Sequence, residues 1–228
     1  MIQVMPIAIF ASGRGSNFDA VLKAIRDGHL AAEIVAVVSD QPGAQVIEKA
    51  QAAGLKSIVV PAEKAPAREA SLSAAERSAV LEVRRKAHEE KILTQLRPLA
   101  PHFLVMAGYM RVVTSHLIEA FRSERGYSRI VNVHPSLLPS FPGVDAYEQA
   151  FSHGAQLAGV TVHLVEREVD QGPICAQEAF SIADCKSVEE VEKRGLAIEH
   201  RLFPETLKWV LTEKFMIEKR RRFCVRSN

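Results

Sequence analysis

The chain has 228 residues, 47% of them apolar and 25% charged, and a net charge of only +2. That length suffices for one domain with a substantial core, and so even a charge balance gives no bulk drive toward nucleic acid or an anionic membrane. Three cysteines, Cys175, Cys185 and Cys224, show no C-x-x-C spacing, which argues against a disulfide framework or a thiolate zinc site and for a reduced, cytoplasmic setting.

The first apolar stretch, Ile7 to Phe10, reads as a short buried strand and has no basic region before it, unlike a secretory leader. After the turn "SGRGSN", Phe18, Val21, Leu22 and Ile25 recur at helical spacing, and Gly28 closes the helix. "EIVAVVSD" is a second strand, "AQVIEKAQAAG" a second helix ending at Gly54, and "KSIVV" a third strand. From Pro61 to Leu96 the sequence is polar, alanine-rich and helical; Ser73 and Glu76 have the S-x-x-E spacing of a capping box, and Pro98 and Pro101 stop the helix. "PHFLVMAGYMR" supplies a fourth strand, Thr114 to Ser123 a helix, and Ile130 to His134 a fifth strand. "QLAGVTVHLVE" and "PICAQEAFSI" are strands joined by "REVDQG", too short for a crossover and therefore antiparallel. Ser187 and Glu190 open a last helix through about Leu211, and the basic tail "EKRRRFCVRSN" reads as solvated and frayed.

Strands alternating with helices imply right-handed crossovers. The expected fold is therefore α/β: a Rossmann-like, open, mostly parallel sheet with helices on both faces and an antiparallel strand pair in the C-terminal half. The whole chain, 1–228, reads as a single domain, with a βα-repeat, phosphate-binding half over 1–135 and a second half over 136–228. No run approaches the ~20 apolar residues of a membrane span.

"SGRGSN" lies between a strand and a helix, so the backbone N–H groups near Gly15, Ser16 and Asn17 form a seat for an anion such as phosphate. It is neither a dinucleotide fingerprint, which needs a third glycine where Phe18 stands, nor a Walker loop, which needs Gly-Lys-Ser/Thr. Asp40, at the end of the second strand, still mimics the ribose-binding acid of a nicotinamide site.

In the fifth strand, Asn132 and His134 are two residues apart and face one side, and Pro135 ends the strand there. Ligands of open parallel sheets bind beyond the carboxyl ends of the strands, where the glycine turn also points. A satisfied strand-end histidine and an ordinary turn aspartate at Asp170 are the bland readings of these residues taken singly.

"SGRGSN", "AGYMR", "NVHPSLLP" and "GVTVHLVEREVDQGP", in this order and on these elements, resemble the folate-dependent formyltransferases over about Ile7 to Phe180. The resemblance implies an enzyme of purine biosynthesis that passes a formyl group from 10-formyltetrahydrofolate to the primary amine of glycinamide ribonucleotide. It implies that Asn132 binds the formyl oxygen, that His134 donates to the oxyanion and moves a proton, and that Asp170 orients the imidazole. It further implies that Gly15, Ser16 and Asn17 bind the phosphoribosyl group. The folate segment is then Met110, Arg111, Val112 and Val113, with Arg85 near the folate tail. His163 matches a recurrent histidine that is either directly catalytic or a core residue or one supporting the catalytic groups from behind. Where some members carry histidines after the proline loop, this chain has Asp145 and Tyr147.

No metal is expected, since His134, His163 and Asp170 lack compact ligand spacing. The partners expected are the two small molecules, with no nucleic acid and no membrane, for a monomer or a homodimer. Formyltetrahydrofolate hydrolase and methionyl-tRNA formyltransferase carry further domains, whereas this chain begins directly on its first strand. Sugar-nucleotide formyltransferases share the donor but fit the phosphate turn less well. A nucleotide-binding regulatory module has no reason to keep Asn132, His134 and Asp170 together.

Overall fold

The computed structural model describes residues 3–63, 72–218 and 223–226. Its strands are β1 (Met5–Phe10), β2 (Ala32–Ser39), β3 (Ser57–Val59), β4 (Phe103–Met106), β5 (Ile130–His134), β6 (Leu157–Leu164), β7 (Ile174–Ser181), β8 (Phe215–Glu218) and β9 (Phe223–Arg226). They form one sheet in the order β3-β2-β1-β4-β5-β6-β7-β9-β8. The pairs among β1 to β5 are parallel, β6 runs against both β5 and β7, and the sheet continues without a break across residues 135 and 136.

The helices are α1 (Ser16–Arg26), α2 (Gln45–Ala52), α3 (Ala74–Leu96), α4 (Ser115–Ala120), α5 (Ala146–Ser152) and α6 (Val188–Val210). They cover both faces, as the alternation predicts. On one face Ile7, Ile9, Val131 and Val133 pack under Phe18 and Val21 of α1, Val46 of α2, and Phe203 and Leu207 of α6. On the other, Ala8, Phe10, Leu104 and Ile130 pack under Ile92 and Leu96 of α3 and Leu117 of α4. Adjacent strand residues fall into opposite clusters because side chains alternate across a pleated strand.

Local signals act where the sequence puts them. Ser73 and Glu76 form the reciprocal capping box of α3, and the Ser187 hydroxyl caps α6 by accepting from the Glu190 amide. Pro61 to Glu63 are not helical, since α3 begins only at Ala74, and the remainder of the expected N-terminal extension, 64–71, lies outside the described residues. The fourth helix is shorter than Thr114 to Ser123: Thr114 is its N-cap, the hydroxyl accepting from the His116 amide, and Phe121 ends it. Helix α5 has no counterpart in the sequence reading.

The tail corrects a second expectation. Instead of fraying, β8 and β9 pair as an antiparallel hairpin, and β9 joins β7 at Ile174 and Phe223. Phe215 is fully buried against Tyr127 and Trp209, and Cys224 lies 3.5 Å from Cys175, sulfur to sulfur. Apolar residues at Phe215, Ile217 and Cys224 supply an inward face that the surrounding basic residues hide from a composition-based reading. Residues 219–222 and 227–228 lie outside the described residues.

Candidate active site

A cavity of about 650 Å³ opens beyond the carboxyl ends of β1, β4 and β5. Its wall includes the turn Gly13 to Asn17, the segment Met110 to Val113, and Asn132, His134 and Asp170. The parallel strands β1, β4 and β5 aim the turn, the segment and the pair Asn132 and His134 into one space, and the turn between the antiparallel β6 and β7 brings Asp170 to it.

Asn132 and His134 project from the same face of β5, as their two-residue spacing requires. Across the antiparallel pairing, Asn132 is opposite His163 and His134 is opposite Thr161. The Asn132 amide Nδ2 donates to His163 Nε2 at 3.2 Å, while His163 Nδ1 donates to the Leu164 carbonyl at 2.9 Å. One ring nitrogen therefore carries the proton and the other accepts. Burial pushes the His163 imidazole below its ordinary value, which keeps it in this neutral form despite the nearby Asp170 carboxylate. His163 is a partner of Asn132, and a sequence cannot display such a contact between residues 31 apart.

His134 is buried, with Nδ1 3.5 Å from Asp170 Oδ2 and Nε2 donating to the Phe141 carbonyl at 2.9 Å. Asp170 stands between two histidines, its other oxygen 3.6 Å from His163 Nε2. Its Oδ2 also accepts from the Gly143 amide at 2.7 Å, which fastens the carboxylate to the end of the proline loop. The turn holding Asp170 needs glycine at 172, since a Cβ there would stand 1.7 Å from the Leu164 carbonyl oxygen. Thr161 steadies the other end of the proline loop, donating to the Ser136 carbonyl at 2.7 Å and accepting from the Leu138 amide at 3.1 Å.

Gly15 precedes α1 with φ of 74°, a left-handed conformation that suits glycine, and no side chain caps the helix. The first amides of α1 thus have no intrahelical acceptor and point with the positive helix end into the cavity. The Asn17 side chain points elsewhere: Nδ2 donates to Glu199 Oε2 at 2.6 Å, and the Tyr147 hydroxyl donates to Glu199 Oε1 at 2.8 Å. Burial pushes Glu199 above the usual carboxylate range, opposed by those two hydrogen bonds. Tyr147 fits because residue 195 is glycine; a Cβ there would lie 1.9 Å from its hydroxyl oxygen. Glu199 is not among the site residues expected from the sequence. Its signal is an acid on the α6 stripe Val191, Gly195, Phe203 and Leu207, which is otherwise without charge and buried.

Met110 is 71% exposed and Val112 41%, and across the cavity mouth Val144 and Val169 are 63% and 45% exposed. Such an apolar rim suits a flat, partly apolar ligand. Arg85 is not on this wall. It lies on α3 at a small recess behind the rim, shared with Arg111, Val112 and Val113. Asp145, left-handed with φ of 56°, begins α5 on the cavity wall. Asp40 lies outside that wall, its carboxylate accepting from Ser12 and Gln41, so the nicotinamide-like reading has no geometry behind it. Among the described residues, no group of three or more His, Cys, Asp or Glu side chains is arranged to hold a metal ion. No described helix is long and apolar enough to cross a membrane.

The Formyl transferase family model matches residues 5–207. Phosphoribosylglycinamide formyltransferase of Bacillus subtilis (strain 168) is 36% identical over 204 residues, covering 90% of this chain and 93% of that protein. The Haemophilus influenzae protein of the same name is 34% identical, covering 89% and 85%. The crystal structure of glycinamide ribonucleotide transformylase 1 from Symbiobacterium toebii superposes with a TM-score of 0.80 at 33% identity, over 100% of this chain and 96% of that one. Because the model spans most of the sequence and these relatives match over nearly their full lengths, the chain belongs to the formyl transferase family.

Proposed function

We propose that this chain, acting as one formyltransferase domain, transfers a formyl group from 10-formyltetrahydrofolate to the primary amine of glycinamide ribonucleotide in purine biosynthesis. The observation that carries the reading is the meeting, in one cavity, of an anion seat, an apolar rim and the polar trio Asn132, His134 and Asp170. The names of the relatives supply the substrate class.

In this reading the ribonucleotide phosphate caps α1 at Gly15, Ser16 and Asn17 through backbone amides, leaving the Asn17 side chain with Glu199. The donor's ring system lies along Met110 to Val113. Arg85 acts from behind this segment. The amine attacks the formyl carbon, and the carbonyl oxygen becomes an oxyanion. One proton leaves the former amine and one reaches the folate nitrogen as its bond to carbon breaks, so no covalent enzyme intermediate is needed.

Asn132 Nδ2 has a second hydrogen beyond the one given to His163, available for the formyl oxygen. His134 Nε2–H is committed to the Phe141 carbonyl, so its role requires that hydrogen bond to be exchanged for the oxyanion. A doubly protonated ring then presents Nδ1–H to Asp170, whose negative charge supports the cation. Donors aimed at a developing oxyanion typically contribute ~10²–10³ in rate and proton transfer ~10²–10⁴, so the trio accounts for much of the acceleration.

The test is to supply purified protein with glycinamide ribonucleotide and 10-formyltetrahydrofolate and to follow tetrahydrofolate and formylated ribonucleotide together. Equimolar appearance of both supports transfer. Tetrahydrofolate and formate released at the same rate without ribonucleotide make the protein a hydrolase instead.

A further inference from the structure

We infer that Asp40 is a positioning residue that locks the segment Met110 to Val113 to the phosphate turn through the hydroxyl of Ser12. The inference rests on the function proposed above for its catalytic consequence, though not for its geometry. Asp40 is 4% exposed at the end of β2, and nothing in the proposed chemistry uses it.

Ser12 Oγ is held on two sides. It donates to Asp40 Oδ1 at 2.6 Å and accepts from the Met110 amide at 2.9 Å. A hydroxyl has one proton to give, so the carboxylate that takes it leaves the oxygen lone pairs for Met110. Donation to a carboxylate also polarises the hydroxyl, which makes it the better acceptor. The Asp40 carboxylate is itself fixed, its Oδ2 accepting from Gln41 Nε2 at 2.8 Å.

Ser12 connects the two substrate regions. Its backbone N–H donates to the Gly108 carbonyl at 3.0 Å, and the next residue, Gly13, accepts from the Val46 amide at 3.1 Å. Three residues on, Gly15 begins the anion seat. The position that a nicotinamide-binding fold uses to hold a ribose is here turned into the protein, where it sets the spacing between the donor's segment and the acceptor's seat.

Exchange of the Met110 amide with solvent deuterium, followed by NMR, reads the bridge directly whether or not the enzyme is active. Asp40→Ala is expected to speed that exchange and, in an active enzyme, to raise KM for 10-formyltetrahydrofolate about tenfold, the loss of one charge-assisted hydrogen bond, with a smaller rise for the ribonucleotide. The kcat stays within about threefold, since Asp40 touches none of the reacting atoms. Asp40→Asn keeps one neutral oxygen for Ser12 and recovers part of both readouts, falling between wild type and Asp40→Ala, which a generally loosened fold would not do. Ser12→Ala, a change of one oxygen, reproduces the Asp40→Ala result and stands in for it should that variant not fold. Unchanged Met110 exchange in the folded variant overturns the bridge. Faster exchange with unchanged KM values in an enzyme whose wild type is active overturns its catalytic role. Wild type without transfer activity, beside altered Met110 exchange, sinks the proposed function and leaves the bridge standing.

Discussion

Asn132 and His163 face each other across the antiparallel β5 and β6 pairing, and their side chains meet at 3.2 Å. Since His163 Nδ1 is committed to the Leu164 carbonyl, Nε2 can only accept, and this fixes which hydrogen of the Asn132 amide remains for the cavity. His163→Ala is expected to keep the fold and lower kcat by about 10- to 100-fold, because Asn132 loses the partner that aims it. A kcat within twofold of wild type, measured at saturating substrates, would show that Asn132 aims itself.

The same pair sets a pH dependence. Burial lowers the folded-state pKa of His163 below its ordinary value, so between that ordinary value and the lowered one the unfolded chain binds the extra proton and the folded chain does not. Stability is therefore expected to fall as pH drops from about 6.5, and the decline should be shallower in His163→Ala. Parallel urea titrations of the two proteins from pH 7 to 5 check the sign. Identical slopes would remove His163 from the explanation.

His134→Ala should lose about 10²–10⁴ in kcat, and Asp170→Asn about 10²-fold, with little change in KM for either substrate. Asp170→Asn also weakens the acceptor of the Gly143 amide, so its crystal structure should show the end of the proline loop displaced. Near-normal kcat in both variants defeats the roles proposed for the trio.

Gly15→Ala combines a left-handed backbone with a Cβ placed 2.8 Å from the Val46 side chain. Strain of this kind costs about 1–3 kcal/mol, and relief requires the anion seat to move. KM for the phosphate-bearing substrate is expected to rise about tenfold or more, while the dissociation constant of a folate analogue changes little. Equal weakening of both ligands would indicate collapse of the whole cavity.

Glu213 tests the base of the sheet, away from the chemistry. Burial by itself would raise its pKa, but hydrogen bonds from Arg129, Tyr127 and His102 outweigh it and hold the carboxyl down at about 2. A depressed carboxyl contributes stability above its unfolded value, and that contribution is lost as pH falls through the folded one. Glu213→Gln is expected to lower Tm by several degrees at pH 7, with the difference from wild type narrowing between about pH 4.5 and 2. A constant difference across that window would contradict the assignment.

The strand and helix order was legible because it rests on local rules. Period-2 and helical spacing, the Ser73 and Ser187 caps and the glycine stops each act over a few residues; β1 to β3 and β5 to β7 fall within a residue or two of where these rules put them, and β4 lies inside its expected stretch but ends at Met106. Asn132, His134 and the glycine turn were legible for the same reason: strand alternation, Pro135 and the strand-turn-helix order fix which way they face. The tail hairpin was not, since its inward face is spread over residues amid a charge run. Its burial depends on Trp209 and Tyr127 being nearby.

What the sequence determined by itself was therefore the order of β1 to β7 and of the helices other than α5, the common face of Asn132 and His134, and the strand-turn-helix geometry at α1. Only the tertiary structure decided which distant groups meet: Asp170 between two histidines, Glu199 between Asn17 and Tyr147, Ser12 between Asp40 and Met110, and Arg85 behind the rim instead of on it. The reason is physical. Backbone periodicity propagates over a few residues and is written in neighbouring side chains, whereas a hydrogen bond between residues 28 to 182 apart in the chain depends on the sheet register and on how the helices pack over it.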